Sequence, residues 1–88
     1  MIEALYSIFR KHPVVSTDSR QLPPGCIFFA LKGDSFDGNT FAAGALENGA
    51  AYAVIDDPKY RADERFFLVP DVLKALQQLA THHRMQFD

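Results

Sequence analysis

The sequence has 88 residues, the length of one small domain, and 48% of them are hydrophobic, including eight phenylalanines. Its formal net charge is −2, with acidic and basic residues interspersed, which argues against nucleic acid or an anionic membrane as a partner. The longest apolar runs have the length of a strand, and no basic segment precedes an apolar one at the amino terminus. We therefore expect a cytoplasmic protein.

The first third of the chain predicts a helix followed by two strands. Apolar residues recur every three or four positions over residues 2–11, which predicts an amphipathic helix. Residues 14–17 predict a short strand, and residues 18–25 have the composition of a turn. The run CIFFALK at 26–32 is apolar on both faces, as in a central strand between two helical layers. Cys26, the only cysteine, is expected to be a small buried hydrophobe.

The rest of the chain predicts alternating helices and strands. A helix is expected over residues 40–48, with Phe41 on its apolar side, and a buried strand over 50–56. A polar connection follows, in which the carboxylates of Asp56 and Asp57 have no recognisable partner. A strand is expected over 66–69 and a helix over 70–85, with Pro70 in its first turn. Strand, helix and strand in this order predict parallel pairing. The fold class expected is α/β, with a small, mixed but mainly parallel sheet and helices on its faces.

The loop GDSFDGNT at 33–40 resembles a phosphate-binding loop, a glycine followed by four residues, Gly, Lys and Ser or Thr. Three positions fit: Gly33, Gly38 and Thr40. Asn39 replaces the lysine, and a carboxylate such as Asp34 or Asp37 about 4 Å from a phosphate costs roughly 1 to 4 kcal/mol, depending on the dielectric. The sequence therefore argues against ATP binding here. A helix cap by Asp37 or Asn39 is the structural interpretation, and ligand contact by the same loop stays open.

The segment TDSR, Thr17 to Arg20, follows the first predicted strand and admits two interpretations. One is an Asx turn in which Asp18 and Arg20 pair in solvent. The other is a set of polar donors beside a guanidinium, suited to ribose, a base edge or a phosphate. Both this segment and the 33–40 loop follow the carboxyl ends of predicted strands, where open parallel sheets bind ligands. His82 and His83 point about 100° apart on a helix and cannot share a metal ion.

Several segments together resemble the amino-terminal domain of the Mur ligases: TDSRQLPPGCIFFALKGDSFDGNTF, ALENGAAYAVID and LVPDVLKALQQLA. The resemblance implies an ATP-dependent, amide-forming ligase of peptidoglycan precursor synthesis. It also implies that ATP and Mg²⁺ bind in central and carboxyl-terminal domains absent from residues 1–88, and the uncapped helical pattern near Asp88 leads us to expect that the natural protein continues. The segments FFALKG and ALENGA favour the family member that adds D-alanyl-D-alanine over the family member that adds the third amino acid.

The resemblance further implies that this domain binds the uridine diphosphate end of UDP-N-acetylmuramoyl-tripeptide. Thr17 and Ser19 would contact uracil or ribose, and the loop would line the uridine pocket, while Arg20 and Lys32 are added for their charge. The expected substrate-binding residues are Thr17, Asp18, Ser19, Arg20, Lys32, Gly33, Asp34, Ser35, Phe36 and Asn39. No catalytic or metal-ligating residue is expected here, so the domain alone should be inactive. The alternatives are a stand-alone nucleotide-binding module and a protein-interaction domain in which both loops are only turns.

Overall fold

Two helical layers enclose a four-stranded parallel sheet in the computed structural model, which describes residues 2–86. The helices are α1 (Ile2–Lys11), α2 (Ala42–Glu47) and α3 (Val72–Met85). The strands are β1 (Val15–Ser16), β2 (Ile27–Phe29), β3 (Tyr52–Ile55) and β4 (Phe66–Leu68). Two 3₁₀ turns, Gly38–Phe41 and Pro58–Tyr60, precede α2 and β4. No helix within this described range is long and apolar enough to cross a bilayer.

The sheet has the order β1-β2-β3-β4, and every neighbouring pair is parallel. Phe28 is in register with Ala53, and Val54 with Phe67. The α/β fold and the parallel β2-α2-β3 unit predicted from the sequence are confirmed. The sheet was expected to be mixed, but all of its strands are parallel. The antiparallel pairing is an isolated bridge that closes the loop after β2.

Each face of the sheet is covered by its own layer of helices, which explains why the strand sequences are apolar without interruption. Phe28, with alternate residues of β3, packs toward α2. Ile27, Phe29 and Val54 pack on the opposite face, against α1 and α3. Because both faces are covered, every residue of β2 is buried, and alternation of polar and apolar residues disappears. Cys26 is fully buried as predicted, and burial raises the pKa of its thiol.

The ends of the helices differ from the predictions in two places. Pro70 lies outside α3, because Asp71 is the N-cap and its carboxylate accepts the Lys74 N–H at 3.0 Å. The helix expected from residue 40 begins instead as the 3₁₀ turn Gly38–Phe41. This turn carries the end of the 33–40 loop into α2.

Candidate functional site

The carboxyl ends of β1 and β2 flank a cavity of about 470 Å³, here called the β1–β2 pocket. Thr17 to Arg20 form one side of it, and Phe36 and Gly38 of the 33–40 loop lie on another. Phe28, Leu31 and Phe41 complete its lining. The two segments predicted to share a ligand site therefore do meet in space, at the edge of the sheet where the predicted strands end.

The TDSR segment is a tight turn fixed by its own side chains. The Asp18 carboxylate accepts the Arg20 backbone N–H at 2.9 Å and its Nε at 3.1 Å, so the predicted Asx turn and ion pair are confirmed. Ser16 Oγ donates to the Gln21 carbonyl at 2.8 Å and accepts the Asp18 N–H at 3.2 Å. Hydrogen bonds from Arg20 lower the pKa of Asp18, and the exposed guanidinium stays at the pocket rim.

The 33–40 loop is a narrow turn whose tip carries an aromatic ring. Lys32 and Asp37 form an antiparallel bridge, and the Gly33 N–H donates to the Phe36 carbonyl at 2.9 Å. The Phe36 ring lies so close over Gly33 that a methyl group there would overlap it. Glycine at position 33 thus lets the ring fold back onto the backbone, at the edge of the β1–β2 pocket.

Two phenylalanine side chains of this pocket are unusually exposed for their size. Phe36 is 54% exposed and Phe41 is 47% exposed. The sequence assigned Phe41 to the apolar side of a helix, so its place in the pocket was missed. Exposed aromatic rings beside polar donors provide flat surfaces on which a base can stack. Phe36 was predicted as a site residue from the family resemblance.

The remaining predicted site residues lie around the pocket rather than in its lining. Asp34 and Ser35 lie with Gly33 at the exposed tip of the loop. Lys32 lines a second cavity of about 400 Å³, formed at the ends of β3 and β4 with Asp71 and Leu73. Its Nζ lies 3.3 Å from Asp56 Oδ1, so its charge is directed away from the β1–β2 pocket.

Asn39, predicted to cap the helix or contact ligand, is 1% exposed and held by four hydrogen bonds. Its Nδ2 donates to Asp37 Oδ1 at 2.7 Å and to Asp56 Oδ1 at 3.0 Å. Its Oδ1 accepts the Asp56 N–H at 3.0 Å. Of the two predicted caps, Asp37 is the N-cap of the Gly38–Phe41 turn, because its carboxylate accepts the Asn39 N–H, whereas Asn39 lies inside the turn and does not cap it.

Asp56 lies in the connection after β3 as predicted, but the prediction that it has no partner is wrong. Its carboxylate accepts hydrogen bonds from Asn39 and, at 3.2 Å, from the Val72 N–H at the start of α3. Burial alone would raise the pKa of Asp56, but these bonds and the Lys32 ammonium outweigh it and the pKa is lowered. The side chain is therefore a carboxylate that joins the chain after β2, at Lys32 and Asn39, to the start of α3.

His82 and His83 of α3 contact Tyr6 of α1. Tyr6 Oη lies 3.1 Å from His83 Nδ1, and the Tyr6 and His82 ring centroids lie 4.6 Å apart. Over residues 2–86, no group of three or more His, Cys, Asp and Glu side chains is arranged to hold a metal ion.

Comparison with known proteins relates the chain to one family. The profile described as "Mur ligase family, catalytic domain" matches residues 13–84. The UDP-N-acetylmuramoyl-tripeptide--D-alanyl-D-alanine ligase of Synechocystis sp. is 43% identical over 75 residues, covering 83% of this chain and 16% of that protein. The UDP-N-acetylmuramoyl-L-alanyl-D-glutamate--2,6-diaminopimelate ligase of Rickettsia prowazekii is 36% identical over 76 residues, covering 84% and 16%.

The fold comparison agrees with the sequence comparison. The crystal structure of MurF ligase from Thermotoga maritima in complex with ADP superposes with a TM-score of 0.72 at 33% identity. The match covers 78% of this chain and 16% of that one. This chain therefore spans about one-sixth of the length of these relatives.

Proposed function

The chain belongs to the Mur ligase family, and from this membership we propose that it is the domain that binds the uridine diphosphate end of a UDP-N-acetylmuramoyl-peptide. The observation that carries the proposal is the β1–β2 pocket. It combines two half-exposed phenylalanine rings, the hydroxyls of Thr17 and Ser19, and the rim guanidinium of Arg20. These groups suit, respectively, a pyrimidine ring, ribose hydroxyls and a diphosphate, since the pair with Asp18 uses only two of the five N–H donors of the guanidinium.

ATP does not fit the loop that resembles a phosphate-binding loop. The side chain in the position of the lysine is Asn39, which is buried and bonded to Asp37 and Asp56. Two carboxylates close to that position oppose a triphosphate. We therefore propose that ATP and Mg²⁺ bind in other domains of a full-length ligase, which also supply the catalytic groups.

Within such a ligase, this domain contributes by anchoring the substrate. Holding the nucleotide fixes where the distant peptide carboxylate lies, so binding energy gained far from the reacting atoms lowers the barrier for amide formation. We propose addition of D-alanyl-D-alanine as the reaction, in the cytoplasm, supported by the 43% identity to the Synechocystis ligase. Addition of the third amino acid is the second candidate, supported by the Rickettsia relative. Both relatives are named for UDP-N-acetylmuramoyl substrates, so one uridine pocket serves either reaction.

Replacing Phe36 with alanine tests this proposal on the 88-residue chain. Removing the ring takes away one stacking surface, and the affinity for UDP is expected to fall about tenfold, since stacking of a base on an aromatic ring contributes roughly 1–3 kcal/mol. Isothermal titration calorimetry measures this change. Leu73→Ala is the matched control, because Leu73 is similarly exposed, at 51%, but lines the second cavity. Its affinity should equal that of the wild type.

Two results would count against the proposal. Equal UDP affinities for the wild type and Phe36→Ala would show that the base does not stack on Phe36 in the β1–β2 pocket. No UDP binding by the wild type would favour the protein-interaction alternative, in which both loops are only turns.

A further inference from the structure

We infer that Asp56 is a positioning residue that holds the 33–40 loop in the shape that presents Phe36 to the β1–β2 pocket. The consequence for ligand affinity rests on the proposed function, whereas the consequence for the loop itself does not. Asp56 lines the second cavity, beyond the loop, and it acts through Lys32 and Asn39.

Asp56 is itself fixed by two elements outside the loop. It directly follows β3, whose last residue, Ile55, accepts the Val69 N–H at 2.8 Å. Its Oδ2 accepts the Val72 N–H, which attaches it to the first turn of α3. The side chain is 12% exposed, so solvent competes little for these bonds. Asp56 is therefore a fixed point against which the 33–40 loop can be held.

Both ends of the loop are attached to this fixed point. Lys32, where the loop begins, places its ammonium 3.3 Å from Asp56 Oδ1. In the second half of the loop, Asp37 accepts a hydrogen bond from Asn39 Nδ2, and the same nitrogen donates to Asp56 Oδ1. Since Lys32 and Asp37 are also bridge partners, the two attachments close the loop at its base, and Phe36 lies between them.

A carboxylate is the group that this position requires. Three donors converge on Asp56: the Lys32 ammonium, the Asn39 amide and the Val72 N–H. A carboxylate accepts on both oxygens, whereas an asparagine side chain has one acceptor and would turn its own N–H₂ toward a donor. Asp56→Asn keeps the shape of the side chain but loses at least one of these bonds and the charge.

Amide hydrogen exchange in the 88-residue chain tests the inference without any ligand. The reporters are the Gly33 N–H, bonded to the Phe36 carbonyl, and the Gly38 N–H, bonded to the Leu31 carbonyl. The reference is the Ala30 N–H, bonded to Val54 within the sheet. In Asp56→Asn, the loop amides are expected to exchange roughly tenfold faster relative to Ala30, because the loop opens locally.

Matched variants separate positioning from general loss of stability. The quantity compared is the ratio of the loop-amide exchange rates to the Ala30 exchange rate. Asp57→Asn removes the same charge from the neighbouring residue, which caps the Pro58–Tyr60 turn, and should leave this ratio unchanged. Leu79→Ala weakens the buried contact of α3 with the sheet and should accelerate loop and reference amides together. Lys32→Met, at a half-exposed position that tolerates change, should accelerate Gly33 alone by a smaller factor. Unchanged ratios in both Asp56→Asn and Lys32→Met would overturn the inference.

UDP affinity provides a second measurement that keeps the two proposals distinct. If the wild type binds UDP, Asp56→Asn should bind it several-fold more weakly while Asp57→Asn binds normally, and equal binding by all three would overturn the role of Asp56 in positioning Phe36. If the wild type does not bind UDP, the proposed function fails, and the exchange ratios still decide whether Asp56 holds the loop.

Discussion

Replacing Gly38 with alanine is expected to lower the free energy of unfolding by about 3 kcal/mol, since overpacking a buried site forces the surrounding backbone to shift. Gly38 is buried, and its N–H donates to the Leu31 carbonyl at 2.8 Å. A Cβ on Gly38 would overlap that carbonyl oxygen and lie 2.8 Å from the Ala30 carbonyl carbon. These are backbone atoms of the chain leaving β2, so they cannot rotate away. The loop and the strand end would have to separate.

Gly44→Ala is the matched control for this prediction. Gly44 lies within α2, and a Cβ there would meet no atom within 4 Å. Alanine in a helix interior stabilises by roughly 0.5–1 kcal/mol relative to glycine. Urea unfolding of both variants gives the comparison. Equal and small effects at the two positions would show that the close approach at Gly38 is absent in solution.

Asn39→Asp is expected to destabilise the protein by about 3–5 kcal/mol at pH 7, because it buries an unpaired charge. The substitution preserves shape but replaces the donor Nδ2 with an oxygen facing the carboxylates of Asp37 and Asp56, at 2.7 and 3.0 Å. Asn48→Asp is the control, since Asn48 is exposed at the end of α2: the new carboxylate loses the hydrogen bond that Asn48 Nδ2 donates to the Gly44 carbonyl at 2.8 Å, but it can turn into solvent. We expect it to cost about 1 kcal/mol, from that bond and the helix dipole.

The pH dependence of this effect has a definite sign. The new carboxyl at position 39 has a folded-state pKa above its unfolded value, so its penalty is present at neutral pH and disappears as the pH falls toward about 4. In the wild type, the hydrogen bond from Asn39 lowers the pKa of Asp37, and the pKa of Asp56 is lowered as well. Those two groups stabilise the fold above their unfolded pKa and lose this contribution in acid.

The unfolding free energies of Asn39→Asp and the wild type should therefore converge between pH 7 and pH 4. Urea denaturation at the two pH values measures the convergence. A gap of constant size would mean that the new carboxyl is solvated, and that the buried network around Asn39 does not form.

The elements of this fold were predictable because each is encoded by a local pattern. The apolar period of α1 and the uninterrupted apolar runs of β2 and β3 need no knowledge of distant residues. The error at Phe41 also has a local cause. Phe41 ends a 3₁₀ turn, which has three residues per turn. The spacing of an α-helix therefore predicts the wrong direction for its side chain. Its ring consequently faces the β1–β2 pocket.

The role of Asp56 could not be predicted, because its partners are distant in sequence. Asn39 and Val72 lie 17 and 16 residues away along the chain. Parallel pairing of β2 with β3 brings their carboxyl ends together, and only then do Lys32 and Asp56 meet. The same geometry explains why the lysine expected near a diphosphate is paired elsewhere. Sequence patterns located the two segments that meet at the β1–β2 pocket, and the pairing of the strands decides which side chains line it.

The most direct test of the uridine pocket is titration of the ¹⁵N-labelled 88-residue chain with UDP, followed by amide chemical shifts. Shifts concentrated on residues 17–20 and 33–41 are the result predicted from the lining of the β1–β2 pocket. Shifts concentrated instead around Lys32, Asp56 and Leu73 would contradict the assignment, because those residues line the second cavity. A spectrum unchanged at millimolar UDP would contradict uridine binding by this domain altogether.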